Sequence, residues 1–213
     1  MARVKFDEME KYSVSTGGNW FSLKDDGEVK KVRFLFDSLD DLPIRVHDVK
    51  VGENYRSVVC LRDYDDPMHK CPLCEEGNIA RVKLFIPLHD ETDGNVKFWQ
   101  RPKSFGTKIA SQFSRHRDFP SHLFEVERHG KAGDKQTTYE LFEVDQDDKK
   151  LADFEVPDAI GTVIMNKSAE DMEYYLDNGD FPGEETSQRG SREEERTERI
   201  TRRTPARGNS DRF

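Results

Sequence analysis

Four residues able to ligate a metal stand in the first half of the chain: His47, Cys60, Cys71 and Cys74, separated by twelve, ten and two residues and using every cysteine present. Zinc favours four tetrahedral nitrogen or sulfur ligands, and two cysteines two residues apart across a tight turn offer both thiolates to one ion without strain. Cys71 and Cys74 form such a knuckle, stiffened by Pro72. Cys60 is placed to supply the third thiolate. The fourth ligand is His47 or, through a bent loop, His69; His47 is favoured because a residue two positions before a knuckle cysteine tends to point away from the same ion. Three reduced, buried cysteines without a metal are the alternative, since three cannot pair off completely as disulfides. With four protein ligands no position is left for an activated water, so the spacing implies one structural Zn2+ that folds the loop between Leu61 and Arg81.

A second constellation follows. Residues 95–117 carry Lys97, Arg101, Lys103, Lys108, Arg115 and Arg117 with no carboxylate, interleaved with Phe98, Trp99, Phe105 and Phe113. Binding a single strand without reading its sequence needs cations for the phosphates and exposed aromatic faces for the bases. The formal net charge of −9 argues against adhesion to nucleic acid by bulk charge, so any such binding must come from a local patch. Alternation along residues 96–100 puts Val96, Phe98 and Gln100 on one face and Lys97 and Trp99 on the other; the latter reads as the outer, cationic face, continued by Arg101 and Lys103. Lys108 belongs to the same basic stretch, and Tyr55, Arg56, Arg62 and Tyr64 form a second candidate group beside the metal loop. Phe98, Phe105 and Phe113 read as core, Trp20 as core or base-stacking, and Arg115 and Arg117 as phosphate contacts or a solvated helix end.

Catalytic signals are weak. Asp63, Asp65 and Asp66 near His69 offer one carboxylate cluster without the second that a two-metal site needs. No Gly-rich phosphate loop is present, and His116, His122 and His129 read as surface groups. The expectation is a non-enzymatic binding protein.

These groups need a scaffold. The 213 residues suffice for one core plus tails, and the 34% apolar content includes fourteen Phe, six Tyr and two Trp, concentrated before residue 176. No apolar run reaches the roughly 20 residues that span a bilayer, and the N-terminus lacks a secretory pattern, so the expected location is cytoplasmic, with no membrane partner. Residues 1–16 read as a flexible arm, 17–180 as the domain, with its zinc subdomain at about 47–80, and 181–213 as a disordered, charged tail. Strand signals fall at 20–23, 29–36, 44–51, 57–61, 82–88, 96–100, 123–128 and 137–144, with a hairpin turn at Asp93-Gly94. Ser104 and Ser168 are placed to cap helices over 105–113 and 169–176. The pattern fits a mainly β fold, an OB-fold-like Greek-key barrel with an inserted zinc subdomain and one or two short helices.

The ligand spacing, the Cys-Pro-x-Cys knuckle and the segment from Asp93 through Trp99 and Arg101 to Phe105-Gly106-Thr107-Lys108-Ile109 together resemble the zinc-containing single-stranded DNA-binding protein of T-even bacteriophages, over roughly residues 44–115. The resemblance implies an oligonucleotide-binding barrel with a zinc subdomain and a cleft for single-stranded DNA. It also implies zinc on His47, Cys60, Cys71 and Cys74, cleft segments bearing Trp99, Arg101 and Lys108, and replication or recombination proteins as partners. Two features differ from that family. The N-terminal arm mixes Arg3, Lys5 and Lys11 with Asp7, Glu8 and Glu10, and the tail balances arginines against acids instead of being acidic. The rival expectation is a zinc-ribbon adaptor whose metal merely holds a protein-docking or transcription-associated loop.

Overall fold

The structure is a computed structural model, and it describes residues 18–63, 70–131, 133–134 and 136–183. Seven antiparallel strands form one sheet: β1 (Val29–Phe34), β2 (Pro43–Val51), β3 (Asn54–Val59), β4 (Arg81–Asp90), β5 (Asn95–Pro102), β6 (His122–His129) and β7 (Thr138–Gln146). Four short helices accompany them: α1 (Pro72–Glu75), α2 (Gly106–Phe113), α3 (Ala159–Thr162) and α4 (Ala169–Asn178). The path runs β3-β2-β4-β1-β6-β7, with β5 on the other edge of β4. Strand β4 is long enough to serve two partners on one edge, pairing β2 through residues 81–84 and β1 through residues 88–90.

Alternation explains how β4 and β5 hold the sheet. Leu84, Ile86 and Leu88 are buried in the main core, and their register partners Arg101, Trp99 and Lys97 lie on the same face. Arg81, Lys83 and Phe85 take the opposite face together with Phe98 and Gln100. In a flat sheet β5 and β7 would stand about 19 Å apart, four strand spacings. Instead the rings of Trp99 on β5 and Tyr139 on β7 meet edge-on at 5.2 Å, so strands β5-β4-β1-β6-β7 curl around the main core. Helix α2 fills the seam. Its Lys108 Nζ donates to the Tyr139 carbonyl at 2.6 Å and its Gln112 Nε2 to that of Leu141 at 3.4 Å. The sheet is not closed by hydrogen bonds between its end strands, so the observed fold is a mainly antiparallel β sheet with a few short helices.

The β2–β3 ribbon extends beyond this curl. Val49, Val51 and Val58 face a second core made with Cys60, Cys71, Leu73, Met172 and Phe181, whereas Val46 faces a third with Phe85, Phe98 and Ile164. Helix α4 covers the second core. Ser168 and Asp171 form its capping box, and Gly179 ends it in the left-handed conformation that a residue without Cβ adopts freely.

Several expected boundaries shift. Residues 20–23 contribute one bridge, Trp20 to Phe98, instead of a strand. Phe105, with no side-chain cap, occupies the N-cap of α2, because the 3-10 turn Lys103–Phe105 moves Ser104 out of that position. Phe181, assigned by composition to the tail, is fully buried and stacks on Tyr175 at 4.7 Å. The arm at 1–16 and the tail from 184 onward lie outside the described residues, as do Tyr64, Asp65, Asp66 and His69. Among the described residues no helix is long and apolar enough to cross a membrane.

Candidate metal centre and the groove behind it

His47, on β2 opposite Val58, points into the second core, and Cys60 follows the end of β3, where its amide bonds to the Arg45 carbonyl at 3.0 Å. Cys71 is the N-cap of α1 and Cys74 lies one turn on, with Pro72 at the first helical position, where its missing N–H costs nothing. Pairing of β2 with β3 and the single turn of α1 therefore bring all four side chains together. Their ligand atoms lie within 4.8 Å of one another. Cys60 Sγ and Cys74 Sγ are 3.6 Å apart, and His47 Nε2 is 3.4 Å from Cys71 Sγ and 3.5 Å from Cys74 Sγ. A tetrahedral ion with ordinary zinc bond lengths would set sulfur–sulfur edges of about 3.8 Å and nitrogen–sulfur edges of about 3.6 Å. Three of the six edges thus match a metal tetrahedron to a few tenths of an ångström, and the other three lie within 4.8 Å.

Electrostatics support a cation at its centre. Burial, reinforced by the neighbouring Cys60 and Cys71, pushes the Cys74 thiol up to about 12, and burial also raises that of Cys60. Burial lowers the His47 imidazole despite the opposing charge of Asp48. Thiols pushed up by burial, as Cys60 and Cys74 are, ionise here only if a cation compensates them, and a neutral imidazole is the form that ligates metal. Among the described residues His47 Nδ1 is buried without a hydrogen-bond partner, so none of them supplies the carbonyl or carboxylate that commonly orients a ligating imidazole. Packing orients the centre instead: Met172 Sδ of α4 lies 3.9 Å from Cys71 Sγ.

The opposite face of the same ribbon lines an open groove of about 1280 Å3. Alternation sends His47, Val49 and Val51 to the metal side and Asp48 to the groove, where Arg81, Lys83 and Gln100 continue the surface across β4 and β5. Tyr55 and Arg56 of β3, Trp20, Ile79 and the stretch 161–167 complete the lining. Met165 borders it by pairing with β3, through Met165 N to Ser57 O at 2.9 Å and Val59 N to Met165 O at 3.0 Å. Trp20 is 39% exposed and Tyr55 75%. Arg56 and Arg81 are exposed and have no ion-pair partner among the described residues. Lys83 Nζ is held by Asp48 at 2.5 Å, and Lys167 Nζ lies 4.9 Å above the Phe181 ring.

The sequence-derived nucleic-acid residues divide accordingly. Tyr55 and Arg56 line the groove. Arg62 is exposed on the chain leaving the metal centre, outside the groove lining. Trp99 is a core residue at 2% exposure, which corrects its assignment to an outer face. Lys97 is also buried, with its ammonium engaged by Asp90 at 2.9 Å and by Asp93. The guanidinium of Arg101 stacks on Tyr139 at 4.2 Å, and Lys108 is tied to Glu140 at 2.8 Å. Lys103 is exposed in the turn before α2, away from the groove lining. Alternation on β5 has the sense opposite to that expected, with Lys97 and Trp99 on the face of Leu88 and Ile86. Arg81, Lys83, Gln100 and Lys167 were missed, although Arg81 and Lys83 alternate with the apolar Val82, Leu84 and Ile86 and were findable on that ground.

Compared with protein-family models, with curated proteins and with solved structures, the chain matches none.

Proposed function

We propose that the protein is a non-enzymatic binder of single-stranded DNA, largely independent of sequence, and that a structural zinc on His47, Cys60, Cys71 and Cys74 braces the groove in which the strand lies. The observation that carries this reading is the groove itself, where exposed Trp20 and Tyr55 accompany Arg56, Arg81, Lys83 and Lys167 in a protein of net negative charge. Aromatic faces stack bases of any identity, and cations follow the backbone. The curled sheet is read as an opened form of the oligonucleotide-binding barrel, and the role as the one that the resembled phage family plays in replication, recombination and repair. Zinc acts here by tying α1 to the β2–β3 ribbon. The loop after α1 then delivers Gly77, Asn78, Ile79 and Arg81 to the groove.

One observation favours the adaptor alternative: Ile79, at 76% exposure, is an apolar group displayed by the metal-held loop. Titration of labelled single-stranded and duplex oligonucleotides of one sequence across a range of salt separates the two. Three or four phosphate contacts give log affinity against log salt a slope of about −2 to −3 for the single strand. No binding, or equal binding of duplex, would count for the adaptor.

A further inference from the structure

Two histidines expected from the sequence to be surface groups, His116 and His122, converge with Glu143 on the core-facing side of the sheet. His122 precedes Phe124 and Val126 on the inward face of β6, and Glu143 follows Tyr139 and Leu141 on the inward face of β7. Alternation would place apolar side chains at both positions. A register shift between Leu123 and Phe124 aligns Phe124 with Glu143, and Asp118, left-handed at φ 49°, turns the chain so that His116 returns beside His122. Bulges and left-handed non-glycine residues recur where a fold re-aims a side chain for use. The His116 ring packs edge-on against Phe124 at 5.5 Å and lies 4.6 Å from the His122 ring. Two imidazoles and a carboxylate thus cap one end of the aromatic core.

We infer that His116, His122 and Glu143 form a second metal site, open to water on the Glu143 side and suited to one divalent ion of the zinc, cobalt or nickel class. The ligand atoms lie within 4.8 Å of one another. His122 Nε2 faces the Arg117 carbonyl at 3.0 Å and must donate to it, which turns Nδ1 toward Glu143. A backbone carbonyl on the far nitrogen is the usual device for fixing a ligating imidazole. His122 Nδ1 and Glu143 Oε1 are 2.6 Å apart, and His116 Nδ1 is 3.5 Å from Glu143 Oε2. The 2.6 Å contact is a hydrogen bond in the metal-free form, and the same two atoms would share the ion in the loaded form. Around one ion these atoms would stand about 3 to 3.4 Å apart, so the Glu143 carboxylate need only swing outward. It is 38% exposed and has room to do so. Mixed imidazole and carboxylate ligands with open positions suit borderline divalent ions.

The full chain, stripped of metal and titrated with cobalt(II), tests this independently of nucleic-acid binding. Two equivalents are expected. The first produces thiolate-to-cobalt charge transfer from the cysteine centre; the second adds only weak ligand-field bands. The double variant His116→Gln with Glu143→Gln should keep the first spectrum, which also reports that the protein has folded, and weaken the second step by more than about 100-fold. In the unaltered chain, titration with zinc should move the imidazole nitrogen signals of His116 and His122 only after those of His47 have moved. A single equivalent, a second step that survives the double variant, or unmoved His116 and His122 signals would overturn the assignment.

Discussion

Among the described residues Asp48 is the one carboxylate in the groove lining, and its neutralisation gives a prediction of unusual sign. Its Oδ1 accepts from Lys83 Nζ at 2.5 Å and from Ser57 Oγ at 3.0 Å, so it occupies a cation that could otherwise meet a phosphate. Asp48→Asn keeps the shape, frees Lys83 and removes a repulsive charge. A carboxylate about 6 Å from a phosphate, at an effective dielectric between those of protein surface and water, opposes binding by roughly 1 to 1.5 kcal/mol. The variant should therefore bind single-stranded DNA about tenfold more tightly at low salt, with the log–log salt slope steeper by about 0.7 for the extra phosphate contact. Loss of a partly exposed pair should cost at most about 1 kcal/mol of stability. Fluorescence anisotropy of a labelled oligonucleotide across salt measures affinity and slope together, and metal content checks the neighbouring His47. Equal or weaker binding with an unchanged slope and full metal content would refute the placement of the strand over Lys83.

Other consequences are independent of that one. Chelation should loosen the loop that carries α1, seen as faster proteolysis between residues 61 and 81, and weaken oligonucleotide binding in parallel; Cys74→Ser should reproduce both effects. Tyr55→Ala should cost about 1 to 3 kcal/mol of binding, read by the same titration, with little change in melting temperature because the ring is largely exposed. Burial pushes the Asp90 carboxyl up, but bonds from Lys97 Nζ and the Thr92 amide and the Lys97 charge outweigh it and hold it below the ordinary range. A depressed folded-state value contributes stability that is present above the unfolded carboxylate value near 3.9 and lost as pH falls through the folded one. Asp90→Asn should therefore lower stability at neutral pH by about 3 kcal/mol and flatten the acid limb of the denaturation profile.

The His47, Cys60, Cys71 and Cys74 cluster, able to hold one metal ion, was legible because its chemistry is local: donor types and spacing limit what four side chains can do, and strand pairing of β2 with β3 completes the geometry. The face of β5 was also recoverable. A hairpin around Asp93-Gly94 pairs even positions of β4 with odd positions of β5, so the apolar run Leu84, Ile86 and Leu88 commits Trp99 to the core. Composition drew attention to the cations at 97, 101 and 108; Lys97 pairs with Asp90 inside the β4–β5 hairpin, but the contacts of Arg101 with Tyr139 and of Lys108 with Glu140 depend on how far β5 and β7 curl toward each other. That curl, like the convergence of His116, His122 and Glu143, arises from contacts distant in sequence and leaves no periodic trace. Phe181 was lost to the tail because a single aromatic among polar residues carries no pattern; only the α4 packing reveals its use.

The chain has two tryptophans, Trp99 sealed in the core and Trp20 on the groove, so intrinsic fluorescence reports on the groove through one residue. Titration with oligo(dT) should quench the emission, the quenching should disappear in Trp20→Phe, and it should weaken when the metal is removed. Emission that stays constant while DNA binds, or quenching that persists without Trp20, would place the strand elsewhere.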